Sequence, residues 1–132
     1  MEIELITIGT ELLLGQVLDT HQQWLGQRLV ERGRPLARQI TVPDNGPAIC
    51  GAVQTALGRA DLVITTGGLG PTDDDLTRRL LADLLGRPLG RDASVAAQIA
   101  GFFRQRNRPM PESVLVQAEV PQGAVVFPNR HG

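Results

Sequence analysis

Glycines at positions 67, 68 and 70 stand directly ahead of three consecutive carboxylates, Asp73, Asp74 and Asp75. Glycines let backbone N–H groups converge on phosphate oxygens, so the first half of this stretch suits an anion. The acids that follow repel one another and would repel that same anion. A divalent ion held by one or two carboxylates and by ligand phosphates removes both conflicts, which makes Mg²⁺, Mn²⁺ or Co²⁺ the expected cofactor and Asp74 and Asp75 the expected metal ligands. A simpler alternative stands beside it. Thr72 and Asp75 have capping-box spacing, and acids in a first helical turn are favoured by the helix dipole.

Two further polar loops accompany this one, at residues 9–15 and 43–45. Each follows an apolar run with the character of a buried strand, and helical periodicity follows each. Strands alternating with helices imply a mostly parallel sheet, whose ligands bind outside the carboxyl ends of the strands. The three loops are therefore expected to converge there. The candidate substrate-binding residues are Gly9, Thr10 and Glu11 in the first loop and Asn45 in the second. The third supplies Thr66, Gly67, Gly68, Leu69, Gly70, Pro71 and Thr72. Asp75 and Asp44 are the candidate catalytic acids. Asp44 has a competing reading as the N-cap of the helix that follows it, and Glu11 as an ordinary solvated acid.

The elements that must position these loops are legible from spacing. Residues 3–8, 36–42 and 62–66 read as strands. A helix capped at Asp19 or Thr20 carries Trp24, Leu25 and Leu29, with Trp24 read as a packing residue, and stops at Gly33. A second carries Ile49, Val53, Ala56 and Leu57. The stripe Leu76, Leu80, Leu81, Leu84, Leu85 gives a third, opening at the acidic loop and ending at Gly86. Asp92 or Ser94 caps a fourth with Val95, Ile99, Phe102 and Phe103. A short turn is expected near residues 112–118 and a strand at 124–127.

Composition narrows the chemistry. The 132 residues carry 13 basic and 14 acidic side chains for a net charge of −1, which leaves no electrostatic footprint for nucleic acid or an anionic membrane. All 13 basic residues are arginine, which excludes a Schiff-base lysine and a Walker-type phosphate loop. The single Cys50 makes no internal disulfide and reads as a small core hydrophobe. Neither His21 nor His131 has the partners of a zinc site. Arg104, Arg106 and Arg108 read as a solvated cluster at a helix end. The absence of a signal-like or membrane-length apolar run fits a cytoplasmic protein.

Gly-Thr-Glu-Leu-Leu-Leu-Gly at 9–15, Gly-Gly-Leu-Gly-Pro-Thr-Asp-Asp-Asp-Leu-Thr at 67–77 and Asn-Arg-Pro-Met-Pro-Glu at 107–112 resemble one family over essentially the whole chain. It is the molybdopterin-binding (MoaB/MogA-like) domain, most closely the amino-terminal domain of the competence/damage-inducible CinA proteins. The resemblance implies a single domain over residues 1–132 with a three-layer α/β/α sandwich around a mostly parallel sheet. It implies a homodimer or homotrimer. Within the CinA branch it implies metal-dependent hydrolysis of a nucleotide diphosphate, ADP-ribose above all, to AMP and ribose 5-phosphate. The wider family implies instead molybdopterin binding or adenylyl transfer, and a non-catalytic ligand-binding or oligomerisation domain is the third reading. Asp75 and Asp44 fall where the family keeps essential aspartates. The chain departs from the CinA pattern at His21, usually asparagine, and at Leu115 and Val116, usually an Arg-Lys pair. It also stops at residue 132 where the pattern continues, so it reads as a shortened form.

Overall fold

The computed structural model describes residues 1–129; His131 lies outside them. The chain divides into two compact units, Met1–Gly68 and a second beginning at Leu69.

The first unit is built on a parallel sheet. Strand β1 (Ile3–Ile8) lies between β2 (Arg38–Val42) and β3 (Leu62–Thr66), with Ile8 beside Val42 and Thr7 beside Thr66. A strand flanked on both edges and covered on its faces reads as a near-continuous apolar run, and every residue of β1 is buried. Two of those residues are polar, and each has partners. Thr7 Oγ1 shares a hydrogen bond with Thr41 Oγ1 at 2.8 Å and accepts one from Gln39 Nε2 at 3.2 Å. Glu4 accepts from Arg59, with Nη2 at 2.9 Å from its Oε2, and forms a longer ion pair with Arg38.

Helices α1 (Thr10–Leu13), α2 (Thr20–Val30) and α3 (Gly46–Leu57) complete this unit. Helix α3 buries Ile49, Val53 and Ala56, the stripe expected from their spacing, and packs on the sheet. Cys50 beside them is half-buried rather than in the core. Helix α2 starts at its Asp19 cap as expected but buries no residue. Trp24, read as a packing residue, is instead 57% exposed with Arg28 over its ring, while Leu25 and Leu29 of the same helix are half-buried.

The second unit holds α4 (Thr77–Leu84), a short strand β4 (Leu89–Arg91), α5 (Ala93–Gln105), a 3-10 helix (Glu112–Ala118) and β5 (Glu119–Pro121). Asp92 caps α5, accepting from the Ser94 and Val95 amides. Strands β4 and β5 pair antiparallel, with Gly90 opposite Val120. The strand expected at 124–127 does not form among the described residues. Val125 and Phe127 are 77% and 85% exposed, and β-branched or aromatic residues make a strand only where a neighbour offers a surface to pack against. The second strand of the chain begins at Arg38, two residues later than its apolar pattern suggested.

Candidate functional site

Parallel pairing brings the carboxyl ends of β1, β2 and β3 to one edge, and there the first unit joins two of the predicted loops. The Gly9 amide donates to the Val42 carbonyl at 3.0 Å. Asp44 Oδ2 accepts from the Thr10 amide at 2.7 Å, while the Asp44 amide donates back to Thr10 Oγ1 at 3.2 Å. Asp44 thus satisfies an otherwise orphan N–H at the start of α1, which has no side-chain cap of its own. It does not cap α3. Asn45 does, accepting from the Ala48 amide at 2.9 Å, so Asn45 is a capping residue and Asp44 the one turned toward the first loop. The Glu11 carboxylate folds back over Gly9, where a Cβ would sit 2.6 Å from Oε1.

Gly67 closes this edge. Its φ of +93° lies in the region that favours glycine, and a Cβ there would run into the Ile8 carbonyl oxygen. Gly67, directly after the last β3 residue Thr66, therefore passes close against the end of β1. Gly68, also at positive φ, ends the first unit.

In the second unit the acidic loop folds differently from a capped helix start. Asp75 Oδ2 accepts from the Thr72 amide at 2.9 Å and from Thr72 Oγ1 at 2.6 Å. That is one half of a capping box, the acid reaching back, but the helix does not begin at Thr72. Helix α4 begins at Thr77 behind Leu76, with no side-chain cap, because Asp73 to Asp75 form a turn held by that carboxylate. Gly70 makes the turn possible, since a Cβ on it would lie 2.5 Å from Asp75 Oδ2. The Thr72 hydroxyl holds the Asp75 carboxyl below the ordinary aspartate value of 3.8; burial opposes this, while the Thr72 and Gly70 amides and the Arg78 charge reinforce it. Asp75 is therefore a committed carboxylate at neutral pH.

A cavity of about 340 Å³ opens against this loop. Pro71, Thr72, Asp73 and Asp75 line it with Arg78 and Arg79 of α4, Leu89, Ser113, Val116 and Glu119. Asp74, expected beside Asp75 as a metal ligand, is not among the lining residues; Asp73 is. Among the described residues no three His, Cys, Asp or Glu side chains approach closely enough to hold a metal ion. Thr72 occupies one oxygen of Asp75, Oδ2. The lining as a whole makes a pocket of mixed charge, suited to a ligand that is itself polar and anionic in part.

Spacing had not singled out Asp73, Arg78, Arg79, Ser113 or Glu119. The signal available was the Arg78-Arg79 pair directly after the acidic loop.

The family model described as "Probable molybdopterin binding domain" matches residues 4–129. A CinA-like protein of Akkermansia muciniphila is 46% identical over 132 residues, all of this chain and 32% of that protein. Another, of Gloeobacter violaceus, is 46% identical over 129 residues, 98% of this chain and 30% of that protein. The chain spans about a third of the length of the curated relatives it matches. Among solved structures, the protein CinA of unknown function from Thermoplasma acidophilum superposes with a TM-score of 0.85 at 30% identity, covering 99% of this chain and 76% of that one. The molybdopterin biosynthesis Mog protein of Mycobacterium ulcerans gives 0.60 at 27% identity over 86% of this chain and 71% of that one. The α/β fold with its parallel sheet is the one these neighbours share. Among the described residues no helix is long and apolar enough to cross a membrane.

Proposed function

The chain belongs to the molybdopterin-binding domain family, and from that premise we propose that it binds molybdopterin or a close phosphorylated pterin, with the cavity at Asp75 receiving the ligand's polar end. The observation that carries this reading is the lining of that cavity, where Asp73 and Asp75 face a ligand together with Arg78 and Arg79. Carboxylates accept from the N–H groups of a pterin ring, and guanidinium groups pair with a phosphate ester. Asp75, kept ionised by Thr72, stays an acceptor throughout the neutral range.

Hydrolysis of a nucleotide diphosphate such as ADP-ribose is the second reading, supported by the same two arginines, which also suit a diphosphate. On that reading Mg²⁺, Mn²⁺ or Co²⁺ would be held between the diphosphate and the carboxylates of Asp74 and Asp75. Calorimetric titration of the full chain with molybdopterin and with ADP-ribose, each with Mg²⁺, separates the two. Pterin binding lost in Asp75→Asn supports the first. ADP-ribose binding with AMP release, and no pterin binding, would reverse the order. Light scattering on the same samples tests the proposed dimer or trimer, which exposed Trp24 and the unburied α2 favour.

A further inference from the structure

We infer that Arg79 is the residue that grips the terminal phosphate of the ligand, supplying the cation that Val116 does not bring to the same cavity. This rests on the cavity at Asp75 being the ligand site. Of the two lining arginines, Arg78 is already engaged, its Nη1 donating to the Leu69 carbonyl oxygen at 3.3 Å. Arg79 is exposed and makes no hydrogen bond or ion pair among the described residues. Its guanidinium thus keeps every donor for a ligand, where Arg78 spends one on Leu69, and its planar fork matches a phosphate bidentately.

Its place in the helix argues the same way. Arg78 and Arg79 are the second and third residues of α4, in the first turn, where the helix dipole favours acids and opposes cations. Arg79 contributes nothing to helix stability there that a glutamate would not contribute better. A phosphate at this end would meet both the guanidinium and the positive pole of the helix, so the local penalty turns into an attraction only when an anion is bound. Val116 lines the cavity with an aliphatic side chain, and Asp73, Asp75 and Glu119 would otherwise leave the pocket hostile to phosphate.

The test titrates the full chain and its variants with molybdopterin and, as a bare anion probe, with inorganic pyrophosphate. Arg79→Ala should weaken both by about 10- to 100-fold, Arg79→Lys by less, and Arg104→Ala, at the far end of α5, not at all. Because a cation leaves a helix N-terminus, Arg79→Ala should melt at or slightly above the wild-type temperature. A lysine placed elsewhere on the same cavity should restore the charge, so R79A/V116K should recover binding several-fold over R79A. Wild-type affinity in Arg79→Ala would overturn the inference while leaving the pocket as the ligand site, and failure of V116K to rescue would overturn the shared role of the two positions. If the wild-type chain bound neither probe, the ligand reading and this inference would fall together.

Discussion

Replacing Gly67 by alanine tests whether the edge where β3 meets the first two loops is as tight as it appears. The residue sits at φ +93° and its missing Cβ points at the Ile8 carbonyl oxygen, a backbone atom fixed inside a fully buried strand. An L-residue in the left-handed region costs about 1–2 kcal/mol, and forcing a methyl group into a packed site costs about 1–3 kcal/mol more. The expected loss is therefore roughly 2–5 kcal/mol, or about 6–20 °C in Tm for a chain of this size. Two neighbouring glycines calibrate it. Gly51 is exposed within α3 with nothing within 4 Å of its Cβ position, so Gly51→Ala should stabilise by about 0.5–1 kcal/mol. At Gly70 the obstacle is the Asp75 carboxylate, a side chain that can swing aside, so Gly70→Ala should cost little stability but release Asp75 from Thr72. Urea denaturation of the three variants orders them. A Gly67→Ala protein within 0.5 kcal/mol of wild type would refute the close approach of β3 to β1.

Asp44→Ala should speed hydrogen exchange at the Thr10 amide and cost about 1 kcal/mol, as loss of a helix cap does, while Asp44→Asn keeps an acceptor and most of the protection; equal exchange in all three proteins would remove Asp44 from that role. Hydrogen bonding and charge from Arg59, with help from Arg38, lower the Glu4 carboxyl from 4.5 against the opposing effect of burial. Its contribution to stability is thus complete above pH 4.5 and disappears as pH falls through the lower folded value. Glu4→Gln should flatten that acid limb in denaturation curves taken between pH 3 and pH 7, and an unchanged limb would count against the Glu4–Arg59 pair. Asp75 should titrate below 3.8 by carboxyl NMR, and Thr72→Ala should move it upward, since the Thr72 hydroxyl is the largest influence on it; no movement would mean that the loop is held otherwise.

Much of the framework could be read from residue order. The alternation and apolar runs of residues 3–8 and 62–66 became β1 and β3, the Ile49–Val53–Ala56 stripe became the buried face of α3, and Asp19 and Asp92 cap the helices they precede. These features depend on groups within three or four positions of one another, so local spacing suffices. The family resemblance, carried by the loops at 9–15 and 67–77, was likewise visible and matches residues 4–129.

What the sequence could not decide was partnership at a distance. Asp44 and Asn45 are equally good caps by type, and only the arrival of Thr10 from 34 residues away turns one outward and leaves the other on its helix. The apolar run at 124–127 has strand character, yet the pairing goes to Leu89–Arg91 with Glu119–Pro121, because a strand needs a second edge and not only a propensity. Three adjacent acids look equivalent in the chain. Folding turns Asp75 back onto Thr72, sets Asp73 with it on the cavity wall and leaves Asp74 off that wall. Residue order therefore determined β1, β3, the capped helices and the loops that carry the chemistry. The tertiary structure alone decided which side chains of those loops face a common space, because that depends on contacts between segments far apart in the chain.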